Sequence, residues 1–118
     1  MSVTKNIFGF LASLVLISTR SNAAESPGVR DFKQNIRPLL ENYCFDCHAD
    51  GVNKGDMAFD GFASDRAIVE DKELWSHALK NLRAGLMPPP KKPQPTPGEK
   101  ERIAQWIKAS VFEIDPQN

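Results

Sequence analysis

Cys44-Phe45-Asp46-Cys47-His48 is the stretch on which the reading of this chain turns. Two cysteines stand two residues apart, and a histidine follows the second directly. That spacing is the attachment signature of a c-type haem. Each thiol adds across one haem vinyl group to make a thioether. On a helical turn the two sulfurs, three positions apart, lie on nearly the same side. The next side chain then offers an imidazole nitrogen to the iron. A thioredoxin-like pair would want a strand–helix context, which the neighbouring sequence lacks. Half of a zinc site would find only His48 and His77 as further ligands of the usual types, with no second cysteine pair.

Export supports the haem reading, because haem c is attached outside the cytoplasmic membrane. The chain opens with Lys5, an apolar run from Ile7 to Ile17 broken by Gly9 and Ser13, and a small polar segment from Ser18 to Ala24. This is the pattern of a secretory signal peptide, and Ser21-Asn22-Ala23 places cleavage after Ala23. Residues 1–23 are read as signal peptide and 24–118 as one domain, with a core over 28–113. A retained anchor is the alternative, although the run is short for a span. In an exported chain the two cysteines could also pair, but so small a loop stabilises little.

The full chain of 118 residues carries 15 basic and 15 acidic side chains. Losing residues 1–23 removes Lys5 and Arg20, leaving 13 basic against 15 acidic. No basic run or aromatic platform points to nucleic acid. A mature chain of this size builds a modest core, which a covalently held macrocycle would enlarge.

Outward from the motif, the apolar spacing is helical. Glu25 to Gly28 reads as a flexible lead-in. Val29, Phe32, Ile36, Leu39, Leu40 and Tyr43 then fall on one face. Pro38 interrupts this pattern, so the helix kinks there or a second piece starts with Pro38 in its first turn. Ala49 to Asp60 is a glycine-containing loop, followed by the turn signal Asp60-Gly61 between Phe59 and Phe62. Either ring could lie on a porphyrin or be ordinary loop packing. Ser64 can cap a short helix through Glu70, and Asp71 a longer one over 72–84 ended by Gly85. Leu86 to Pro97 is a stiff, proline-rich loop. Thr96-Pro97-Gly98-Glu99 spells a capping box for a last helix with Ile103, Trp106, Ile107, Ser110 and Val111 on one face. The expected class is all-α.

The iron needs a second axial ligand, and Met57, His77 and Met87 are the candidates. Met87 is favoured because its loop is stiffened by Pro88-Pro89-Pro90, which leaves the sulfur little entropy to lose. Thioether sulfur also favours ferrous iron. His77 flanks the apolar stripe of its helix. Met57 lies so close to His48 that reaching the opposite haem face would need a tight wrap. An open sixth site is the remaining option.

At this point the chain resembles the mono-haem class I cytochromes c, and more narrowly the planctomycete-type cytochrome c domain. The resemblance rests on Ile36-Arg37-Pro38-Leu39-Leu40, Tyr43 through His48, Lys54-Gly55, Trp75, Leu82 to Pro89 and Gln105-Trp106-Ile107. It implies one covalent haem c on Cys44 and Cys47, with His48 as proximal and Met87 as distal ligand. It implies crossing terminal helices with Trp106 against Phe32 or Ile36. It also implies that Val111 to Asn118 could lead out into further domains. One departure stands out. Many class I cytochromes orient the proximal imidazole with a proline carbonyl after the motif, and no proline occurs between His48 and Met87.

Two functions are weighed. The first is a non-enzymatic, one-electron carrier in the periplasm or a similar compartment, meeting exported or membrane-bound redox proteins in small, transient contacts. The second is a peroxidase-like or gas-sensing haem with an open sixth site, served by a polar group such as His77 or Arg83, or a haem module of a larger exported enzyme.

Overall fold

Every α-helix but the short one at Phe45–His48 begins where a side chain or a proline meets the bare N–H groups of a first turn. In the computed structural model, which describes residues 24–115, the described residues form six α-helices with turns of other pitch between them. The residues read as a signal peptide lie outside the described range. Helix α1 (Pro27–Asp31) runs into a π-helical turn (Phe32–Ile36) and then α2 (Arg37–Tyr43). A short α3 (Phe45–His48) follows, then α4 (Asp65–Glu70), α5 (Lys72–Arg83) and α6 (Pro97–Trp106). A second π-helical turn (Ile107–Val111) extends α6. The described residues contain no strand, and the all-α expectation holds.

The lead-in is shorter than the sequence reading held. Ser26 accepts a hydrogen bond from the Val29 N–H, and Pro27 takes the first turn, so helix already begins at Pro27. Ser-Pro is itself a helix-start pattern, because proline there forfeits only an N–H that would be orphaned anyway. At Pro38 the missing N–H is accommodated by a change of pitch. The Arg37 N–H reaches back to the Phe32 carbonyl in a π-type bond, and Pro38 then sits in the first turn of α2.

The later starts follow their expected chemistry. Ser64 caps α4 through the Ala67 N–H, and Asp71 caps α5 through the Leu74 N–H. Thr96 and Glu99 form a reciprocal capping box on α6. Gly85, at φ 69°, supplies the left-handed residue past the end of α5.

The core is aromatic and gathers on Trp75 of α5, which is fully buried. Its ring meets those of Trp106 at 4.8 Å, Phe59 at 5.5 Å, Phe32 at 5.9 Å and Phe62 at 6.0 Å. Its indole N–H donates to the Ile68 carbonyl, so the buried polar atom is satisfied. The crossing of the terminal helices seats Trp106 against Phe32 at 5.2 Å, and the Trp106 indole donates to the Gly28 carbonyl at 2.9 Å.

That crossing is close because position 28 has no side chain. A Cβ built on Gly28 would stand 2.8 Å from Ser110 Cβ and 2.9 Å from its Oγ. We therefore expect Gly28→Ala to force the terminal helices apart and cost about 1–3 kcal/mol, read as a lower midpoint in thermal unfolding of the holoprotein. An unchanged midpoint would show that Ser110 yields without cost.

Candidate functional site

Cys44 is the hinge from which the site is built. Its N–H closes α2 on the Leu40 carbonyl at 2.7 Å, and its own carbonyl accepts from the Cys47 and His48 N–H groups at 3.2 and 3.0 Å. Cys44, Cys47 and His48 are thus held on consecutive turns of backbone. All three line one cavity of about 420 Å³, within the size range of small-molecule sites, roughly 300–1,000 Å³.

The wall comes from distant parts of the chain. Leu40 and Tyr43 of α2, Phe59 of the loop, Trp75, Ala78 and Leu82 of α5 and Ile103 of α6 give it an apolar interior. Met87, Pro88, Pro89, Pro93 and Pro95 of the proline loop close the other side. Met87 is 42% exposed, so it stands at the edge of the cavity. Asp46 on α3 and Lys92 on the proline loop approach to 3.7 Å, both at the lining. An exposed pair at that distance contributes little energy.

The structure brings the four expected site residues, Cys44, Cys47, His48 and Met87, onto this cavity. It places the two weaker ligand candidates there as well. His77 is exposed and lines it, and Met57 is half-buried and lines it. Arg83 is exposed and outside the lining.

The carbonyl that orients His48 belongs to Met57. His48 Nδ1 lies 3.1 Å from the Met57 oxygen, and because a carbonyl only accepts, Nδ1–H is the donor. That fixes the tautomer and leaves the Nε2 lone pair free for a metal. The segment is tied back to the motif where the Phe59 N–H donates to the His48 carbonyl at 2.7 Å. The Phe59 ring then meets the imidazole edge-on at 5.6 Å, fixing its plane. The sequence shows only that no proline serves here. Which carbonyl replaces it depends on how the loop folds back, and no residue type signals that.

Burial pushes the Cys44 thiol up to about 11, with neighbouring Cys47 adding to the rise. A catalytic redox dithiol needs the opposite, a thiolate favoured near neutral pH. Among the described residues no group of three or more His, Cys, Asp or Glu side chains is placed to hold a metal ion. The donor set fits a haem instead. It offers two thiols for thioether bonds, one imidazole with a free nitrogen and one thioether sulfur, around an apolar cavity.

Tyr43 ties this wall to α6. Its hydroxyl donates to the Glu99 carboxylate at 3.1 Å, and that bond holds the phenol above its usual range. Glu99 is held below the usual carboxylate range, first by the Thr96 backbone N–H and then by the Thr96 side chain. Tyr43 was expected only as part of an apolar helix face. Its bond joins residues 56 positions apart, which no local pattern announces.

Among the described residues no helix is long and apolar enough to cross a membrane. No curated protein and no solved structure matches the chain. Residues 44–91 match the family model described as Planctomycete cytochrome C. The matched segment starts at the first cysteine and ends in the proline loop, so it takes in both expected ligand regions. The match implies haem c as cofactor and redox proteins as partners, and it suggests an electron carrier rather than an enzyme. By its motif, its helical fold and this match, the chain is similar over residues 44–91 to the planctomycete-type cytochrome c domain.

Proposed function

We propose that this chain is an exported mono-haem c-type cytochrome. Residues 1–23 direct export, and the domain from residue 24 onward carries single electrons between redox proteins. The observation that carries the reading is one cavity lined by Cys44, Cys47, His48 and Met87 together. Cys44 and Cys47 would hold the haem covalently, and His48 and Met87 would supply the iron's two protein ligands. When bound, haem c supplies an iron that gains and loses one electron.

The protein's own contribution is positional. The Met57 carbonyl holds the His48 Nδ1–H and so leaves Nε2, on a ring that lines the cavity, free to bind a metal. Phe59, Trp75 and Ile103, all buried, exclude water from the interior and limit the solvent that must reorganise when charge changes. Met57 is an unsuitable distal ligand, because its own carbonyl is bound to the proximal ring. Met87 comes from the proline loop, a different part of the chain, and would take the position a substrate would need.

Redox titration of the purified holoprotein tests this. We expect one reversible one-electron wave, and no change in the ferrous spectrum on adding carbon monoxide, because both axial positions are taken. Rapid, stoichiometric binding of carbon monoxide would instead favour a peroxidase-like or gas-sensing haem.

A further inference from the structure

The loop that carries Met87 has few backbone hydrogen bonds of its own. Pro88, Pro89 and Pro90 have carbonyls but no N–H, so the usual turn and helix bonds are not available to them. Before the prolines, the loop is anchored where the Leu86 and Met87 N–H groups donate to the Asn81 carbonyl at 3.0 and 3.3 Å. After them, the Lys92 N–H donates to the Pro89 carbonyl at 2.9 Å. Further support comes from a side chain of the loop itself. Gln94 Nε2 donates to the carbonyls of Pro88 at 3.1 Å, Pro89 at 2.9 Å and Lys92 at 3.1 Å. An amide nitrogen has two hydrogens, so one of them is shared between two of these oxygens.

We infer that Gln94 is a positioning residue for the distal ligand: its amide gathers the proline carbonyls into one arrangement and thereby fixes the Met87 sulfur over the cavity. Met87 lies between the Asn81 anchor and the Gln94 clamp, adjacent to Pro88, whose carbonyl Gln94 holds. Pro88 is itself buried, so the clamp determines which way the chain leaves Met87. Releasing the clamp would leave the Asn81 anchor, but would free the chain beyond Met87 to sample other paths. The sulfur would then occupy its position for only part of the time. This inference rests on the reading of Met87 as the axial ligand.

The test uses ferric holoprotein titrated with imidazole, which competes for the sixth position, together with the long-wavelength methionine–iron charge-transfer band. Gln94→Met keeps the side-chain length and removes both donors. It should raise imidazole affinity by about tenfold, the scale of losing one or two net hydrogen bonds, and weaken the band. Gln94→Arg restores planar N–H donors and should return the affinity to within about twofold of the parent. Gly28→Ala, which strains the helix crossing without touching this loop, should leave the affinity unchanged and so separates positioning from general destabilisation. Parent-like imidazole binding by Gln94→Met, in a protein where Met87→Ala opens the site, overturns the clamp alone. If Met87→Ala changes neither the band nor the affinity, the methionine reading falls, and the clamp falls with it.

Discussion

Met87→Ala should open the sixth position of the iron and change every property that depends on it. The charge-transfer band should vanish, and the ferric protein should take water or a displaced side chain. Imidazole, cyanide and carbon monoxide should all bind more tightly, by at least about tenfold. The potential should fall, because a soft sulfur that favours ferrous iron is lost. At about 59 mV per tenfold for one electron, a hundredfold loss of ferrous preference reads as a fall of about 120 mV. Met57→Ala should behave differently. Its backbone carbonyl still holds His48, so the side chain can go without altering the band. His77→Ala should also leave the band in place, since an exposed side chain on α5 is not needed while Met87 fills the position. If Met57→Ala loses the band and Met87→Ala keeps it, the ligand assignment is wrong.

The second large effect is on folding. Replacing Cys44 and Cys47 together by serine removes both thioether bonds, and haem held only by His48 and Met87 can leave. The cavity of about 420 Å³ would then sit against the centre of the core, beside Trp75 and Phe59. Leaving that volume without the macrocycle forfeits the apolar burial it would supply to a small core. Ordinary domains are stable by only about 5–15 kcal/mol in total. We therefore expect the haem-free double variant to lose its cooperative melt and most of its near-ultraviolet dichroism. A sharp transition near that of the holoprotein would show that the helical shell stands without its macrocycle.

Local chemistry was legible in the sequence. The caps at Ser64, Asp71 and Thr96 each depend on a side chain reaching an N–H three residues on, so a short window contains the whole interaction. The cysteine–histidine motif is equally self-contained. The crossing of Trp106 on Phe32 came from the family resemblance, and the structure places the rings together. Ser26 was legible too, as Ser-Pro before a helical face, but Glu25 to Gly28 was read as lead-in instead. What the sequence hid were pairings set by the path of the chain. The Met57 carbonyl, the Gln94 amide and the Tyr43–Glu99 bond join groups that no spacing rule connects. The π-helical turns were hidden for another reason. The turn at Phe32–Ile36 arises from the balance between the missing Pro38 N–H and a continuous buried face, which favours a wider turn over a break, whereas the turn at Ile107–Val111 contains no proline.

Mass spectrometry of the exported, denatured protein tests the central claim most directly. We expect a chain beginning at or next to Ala24 and heavier than its sequence by one haem, with the added mass mapped to the peptide from Cys44 to His48. A chain at its bare sequence mass, releasing its haem into acidic organic solvent or carrying none, would contradict it.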